Sequence, residues 1–584
     1  MEWQLEHLFK SVEEAEKKLF ELKKRGEEFK SRYRETLERV TPEEFGKIIE
    51  EYEAILEEIG RAEVYAFLLF TLDSSKGRVI TLFEELGNRV RNNLIWFELE
   101  FGKLPKSVQQ KFIDQNPKYR YLLKQWIEEY PHRLSEGEER VLMIKNSTGR
   151  EAFIRLFDEE IAKIEVEWDG QKIGEEELLA KLHSPERKIR LRAQELFTDE
   201  LKKRLSLLTY IYNQLKRDWN TTYIQLRNYS TPEQVRHLSN QVSQRSVDAL
   251  IEAVENSTHL VEEYYQLKGK LLGLKPLYDY DRYAPLNLSP SAENIPIEVA
   301  QQEVVESYRN FDPLFGEIVE TAFREGWIDL YPKPGKRSGA FSCATTTDLH
   351  PYVLLNYTGN LRDVFTIAHE LGHAIHQYLS RGVGYLQSYT PLTTAETASI
   401  FGEMLLFDRW KNRKEGMEKV ELIGGKLEEI FATIHRQVVF TNFERRVYNS
   451  KEELTPEQLS QIWMEENRKM FGDSLQLTDN YRFWWSYITH FYHSPFYCYA
   501  YAYAGLLVFT LYHLYRNGYP DFKSHYIRFL QEGGAVPPIK QFKRFGLDLE
   551  SVYFWQEGLK QVEELLEEFK KEVKKLEGIQ SEKQ

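Results

Sequence analysis

Only two cysteines, Cys343 and Cys498, occur in 584 residues, and no CxxC pair exists. That excludes a disulfide framework, and free thiols fit a reducing compartment. Positive charge is not in excess either: 78 Lys and Arg stand against 92 Asp and Glu, a net charge of −14. Such a balance lacks the basic field that a nucleic-acid or anionic-membrane partner requires. Long apolar runs are also missing. The nearest, AYAYAGLLVFTLYHLY, is broken by Tyr and His and reads as a buried helix instead of a membrane span. The opening MEWQLEHLFKSVEEAEKKLF is an acidic–basic amphipathic pattern without an apolar signal core. No internal repeat is evident. These absences point to a soluble, cytoplasmic protein with length enough for more than one lobe.

What the chain does have is helical periodicity. Residues 6–38, 43–72, 77–101, 107–130 and 184–218 read as long helices with Glu and Lys on their polar faces. One hairpin interrupts them, Ile164–Trp168 and Gln171–Ile173 around Asp169-Gly170, a dipeptide suited to two-residue turns. Pro276, Pro285, Pro290 and Pro296 mark a connector over 275–300. The expected fold class is mainly α, with a small β-sheet built from Gly339-Ala340-Phe341 and Val353-Leu354-Leu355 just before the most informative helix. The expected division is a helical lobe over 1–190 and a catalytic part over 191–584.

That helix carries His369-Glu370-Leu371-Gly372-His373 inside DVFTIAHELGHAIHQYL. Residues four apart on a helix share a face, so both imidazoles can reach one Zn²⁺. Glu370 is turned about 100° around the axis, away from that coordination position but within reach of a water beside the metal. Val364, Phe365, Ile367, Ala368, Leu371, Ala374 and Ile375 make the stretch apolar, with Asn360 as N-cap and Asp363 at its positive end. Two histidines and a glutamate in such a setting cost free energy unless something satisfies them, and a metal does. A catalytic zinc takes three protein ligands. His376 lies seven residues beyond His369, about 10 Å along the axis, too far to join the same ion. The next segment, PLTTAETASIFGEMLLFDRW, reads as a second helix with Glu396, Ser399 and Glu403 on one face. Glu396 is the expected third ligand. Glu403 would accept the proton of a liganded histidine's other nitrogen.

HELGHAIHQYL followed by AETASIFGE resembles the thimet oligopeptidase family of zinc metallopeptidases, in particular its oligoendopeptidase F branch. Supporting stretches are YYQLKGKLLGLKPLYDYDRYAPL, GKRSGAFS, PYVLLNYTG and HFYHSPFYCYAYAYAG. The resemblance implies one zinc per chain held by His369, His373 and Glu396, with Glu370 as catalytic base, as the spacing itself suggests. It also implies two helical lobes around a deep channel that admits short unstructured peptides and excludes folded proteins. A His and Tyr pair near the C-terminal end would stabilise the oxyanion of the tetrahedral intermediate. Here the candidates are Tyr497 first, then Tyr501, with His490 and His493 both open as the partner. Tyr499 and Tyr503, on another stripe, read as core. The strand carrying Gly339, Ala340 and Phe341 would take the peptide backbone as an added strand. The expected activity is therefore zinc-dependent cleavage of internal bonds in short peptides. The alternatives are a metallocarboxypeptidase or dipeptidyl carboxypeptidase on a related scaffold, or a catalytically silent peptide-binding protein. Oligomeric state is not legible.

Overall fold

A computed structural model describes residues 1–288 and 294–582; Pro290 of the expected connector lies outside them. The chain alternates between two compact units, Met1–Pro131, Ser291–Trp410 and Leu514–Leu547 in the first, His132–Pro290, Lys411–His513 and Asp548–Gln584 in the second. Each is thus assembled from three segments. The boundary expected at residue 190 falls inside Arg187–Trp219, a helix of the second unit.

The fold is mostly helical with two small sheets. Helix Pro42–Leu72 starts at a capping box in which Thr41 and Glu44 satisfy each other's backbone N–H groups. Two expected helices are interrupted. Residues 107–130 form Lys106–Gln115 and Arg120–Glu129, separated at Pro117, whose missing N–H and fixed φ stop a helix from continuing. Residues 77–101 form Gly77–Arg91 and Trp96–Lys103. The last helix runs from Val552 to Glu582.

Strands β1 (Glu165–Trp168) and β2 (Gln171–Gly174) form the predicted antiparallel hairpin, with Trp168 opposite Gln171. Asp169 and Gly170 both take positive φ, 53° and 84°, as a twist-matched two-residue turn requires. In the first unit, β3 (Ile328–Asp329), β4 (Phe341–Cys343) and β5 (Tyr352–Leu354) form a sheet of order β3-β5-β4. β3 runs parallel to β5 and β4 antiparallel, with Ser342 opposite Val353. Tyr352 and Leu354 are buried in a core built mainly by the N-terminal helices, against which Phe341 and Cys343 also pack. The Trp3 indole N–H is shared between the carbonyls of Trp327 and Val353, which pins the chain start to this sheet. The helix Leu361–Ser380 packs along β4 and β5. There the Ser342 hydroxyl donates to Gln377 at 2.7 Å and the Gln377 amide returns a bond to the Ser342 carbonyl.

Both cysteines are free thiols. Burial pushes Cys343 up to about 12 and Cys498 well above its ordinary range, so neither is a thiolate at neutral pH. No helix among the described residues is long and apolar enough to cross a membrane.

Candidate metal centre

The helix Leu361–Ser380 begins where expected: the Asn360 side chain accepts from the Asp363 N–H at 2.9 Å. Asp363 in turn accepts from the N–H and hydroxyl of Thr358. With the start fixed, His369 and His373 project side by side, ring centroids 4.8 Å apart and planes at 80°. Their Nε2 atoms each lie 3.3 Å from the same oxygen, Oε2 of Glu396. Among the described residues, His369, His373 and Glu396 form the only group of His, Cys, Asp or Glu side chains placed to hold a metal ion, with ligand atoms within 4.8 Å of one another.

Glu396 is not inside a continuous helix. Leu392–Ala395 is one short helix, Glu396 follows with φ −82° and ψ 2°, and Thr397–Lys411 is a second. The break is held from both sides. Thr397 donates its hydroxyl to the Thr394 carbonyl at 2.6 Å, and the buried Tyr526 hydroxyl donates to the Thr397 carbonyl at 2.9 Å. Ser399 donates to Glu396 Oε2 at 2.6 Å, orienting the carboxylate. Glu403, two turns on, bonds His369 Nδ1, which leaves Nε2 facing Glu396 and His373.

The donor set suits a divalent cation. Burial opposes charge on His369, but the Glu403 hydrogen bond and the nearby carboxylates of Glu403, Glu396 and Glu370 outweigh it and push the imidazole up to about 9. Burial raises Glu396, yet the His373 hydrogen bond and the two imidazoles bring it down to about 2. The two imidazoles and one carboxylate bring N and O donors together, a set that matches zinc coordination chemistry. Glu370 is not one of these three residues and is 7 % exposed. Its burial raises the carboxyl's pKa against the pull of His369 and His373, the direction that makes a better proton acceptor. His376 is buried and neutral, pushed down to about 3, and its Nε2 has no hydrogen-bond partner; it belongs to the core beside Phe529.

Three supports act through contacts that the residue pattern does not show. A Cβ on Gly372 would stand 2.5 Å from both the Ala398 carbonyl and the Ser399 Cα, so this glycine is what lets the motif helix meet the helix after Glu396. Gly402 likewise makes room for the Tyr308 hydroxyl. Tyr308, buried, donates to the Ala368 carbonyl at 2.6 Å, one residue before His369. Helical glycines are a legible signal, since each costs about 1 kcal/mol against alanine. What presses on them is not legible. Gly372→Ala should lower stability by about 1–3 kcal/mol in denaturant melts, because the obstacle is backbone that cannot rotate away. The same variant should weaken metal binding by moving Glu396 from the histidines; equilibrium dialysis reads that loss.

The remaining candidates divide between the units. Phe341 is on β4, an edge strand of its sheet, while Gly339 (φ 82°) and Ala340 form the approach to it. In the second unit the late candidates lie on a short helix Thr489–His493, the turn after it, and a helix Tyr499–Arg516. The chain reversal still gathers His490, Tyr497 and Tyr501. His490 Nε2 is 3.2 Å from the Tyr501 hydroxyl, and its ring lies 5.8 Å from that of Tyr497. His493 points elsewhere and bonds Asp158 at 2.7 Å. Tyr499 and Tyr503 are fully buried, as a core role requires.

Known proteins share this architecture. The model of peptidase family M3 matches residues 180–561, and that of the oligopeptidase F N-terminal region matches 100–165. Oligopeptidase PepF of Bacillus subtilis is 26% identical, covering 97% of this chain and 86% of its own. An oligoendopeptidase F homolog of Borreliella burgdorferi is 28% identical over 94% of both. The crystal structure of oligoendopeptidase-F from Enterococcus faecium superposes with a TM-score of 0.69 at 20% identity, covering 96% of this chain and 98% of that one.

Proposed function

The chain belongs to peptidase family M3, and from that premise we propose that it is a zinc-dependent endopeptidase cutting internal bonds of short, unstructured peptides. The observation that carries the reading is the convergence of His369 Nε2 and His373 Nε2 on Glu396 Oε2, 3.3 Å from each. These three residues would hold the ion. When bound, zinc supplies a Lewis acid and makes water more acidic at its open position. Glu370 takes the proton of the attacking water and delivers it to the leaving amine. Glu403 keeps the His369 ring turned so that Nε2 remains a ligand. Hydroxyls of Tyr497 and Tyr501 and the imidazole of His490 are the donors proposed for the oxyanion; removing one such donor typically costs about 10²–10³ in kcat. His493, paired with Asp158, is the weaker candidate. The β4 edge at Phe341, reached past Gly339 and Ala340, would pair with substrate backbone and so bind peptides with little side-chain preference. Two unpaired cysteines suit a reducing compartment, and the cytoplasm is the proposed location.

Peptides blocked at both ends test the reading. The zinc-loaded protein should cleave them at internal bonds, seen as two fragments by mass spectrometry. Cleavage confined to peptides with a free C-terminal carboxylate would instead identify a carboxypeptidase, and no cleavage of any peptide a silent binder.

A further inference from the structure

Tyr497 is the half-buried member of a turn whose neighbours, Phe496 and Cys498, are buried at 2 % and 0 % exposure. Phe496 takes φ 57°, a left-handed backbone that a phenylalanine rarely adopts and that persists only where surrounding contacts impose it. Those contacts are specific. Glu444, with no exposed surface, accepts the Phe496 N–H at 3.0 Å. Arg236 donates Nε to the Pro495 carbonyl at 2.9 Å, and its guanidinium lies 5.7 Å from the Tyr497 ring centroid. Arg150 donates to the carbonyls of Tyr492 and His493 at 3.3 and 3.2 Å. Tyr448 closes the other side, its ring 4.8 Å from that of Phe496.

Burying a carboxyl group to hold one backbone amide is costly, and the second oxygen of Glu444 has no hydrogen-bond partner among the described residues. A loop needing only to be compact has cheaper solutions. The turn sets where the Tyr497 ring stands beside His490 and Tyr501. We propose that Glu444 and Arg236 are positioning residues that hold the 494–497 turn so that the Tyr497 hydroxyl is aimed for catalysis. The inference rests on the oxyanion role proposed for Tyr497.

The test uses the full-length zinc-loaded protein and an end-blocked fluorogenic peptide. Arg236→Met should lower kcat about 10–100-fold, the scale of a misplaced catalytic group, with KM changed less than about twofold and zinc content by mass spectrometry unchanged. Glu444→Leu should do the same, and Glu444→Gln, which keeps an acceptor for the Phe496 N–H, should restore most of the loss. In a Tyr497→Phe background Arg236→Met should cost little more, because the hydroxyl it aims is already gone. Arg236→Met at wild-type kcat, or losses that multiply in full with Tyr497→Phe, would overturn the brace while leaving the Tyr497 role standing. A silent Tyr497→Phe would overturn that role and the brace with it; zinc-dependent cleavage would still stand. Arg236 is half-buried whereas Glu444 is fully buried, so Arg236→Met carries the test should Glu444→Leu fail to fold.

Discussion

Glu370→Gln is expected to abolish peptide hydrolysis, lowering kcat by about 10³–10⁴ or more, while zinc stays bound near one per chain. General-base removal alone is worth about 10²–10⁴, and loss of proton delivery to the amine adds to it. At about 1.4 kcal/mol per factor of ten this corresponds to about 4–6 kcal/mol of barrier. The substitution isolates that role for three structural reasons. Glu370 is not among the three converging ligand residues. Its amide analogue has the same shape, so the motif helix keeps its packing at a position only 7 % exposed. It also removes one negative charge from a cluster that already holds Glu396 and Glu403 against two imidazoles, so the ligands lose no support. Turnover of a blocked peptide and metal content by mass spectrometry, on the same sample, read the two halves separately. Wild-type kcat in the variant would refute the assignment of the base.

His373→Ala is expected to have the second largest effect, this time on the metal itself. Structural zinc sites bind with about 10–16 kcal/mol, so each ligand of three or four carries about 3–5 kcal/mol, or 10²–10³-fold or more in affinity. Both remaining ligands would still face one another, since His369 is held independently by Glu403 and Glu396 by Ser399. Zinc should therefore bind weakly, and activity should fall with it and recover partly at high zinc. In the wild-type protein, chelation should remove activity and added zinc restore it. Chelation should also lower the melting temperature, because a ligand that binds only the folded state stabilises it in proportion to the logarithm of its concentration over Kd. Full activity in exhaustively chelated protein would remove the metal from the reaction.

How much of this was readable in advance follows the distance over which each feature is specified. His369 and His373 are one helical turn apart, and helix geometry alone puts their rings together. Asn360 as N-cap and Asp169-Gly170 as a hairpin turn are equally local, and both stand as read. Glu396 could be chosen because a short return brings it back to the histidines, although the helix break at that residue could not be foreseen. The supports of the site are another matter. Tyr308 reaches Ala368 from 60 positions away, and Gly372 is pressed by Ala398. The late cluster shows the same limit: a turn at 494–498 sorts His490 toward the tyrosines and His493 toward Asp158, 335 residues distant, and nothing in the spacing chose between the two histidines.

Sequence by itself determined the helical class and the family, and it singled out the His369–His373 pair with Glu370 beside it, since all of these are written in residue types at fixed helical spacing. Only the tertiary structure decided how the chain is shared between two interleaved units, which histidine meets Tyr497 and Tyr501, and which buried glycines, tyrosine and glutamate hold the functional segments. The physical reason is that periodicity specifies which way a side chain faces, whereas its partner across a contact is chosen by close packing of elements far apart along the chain.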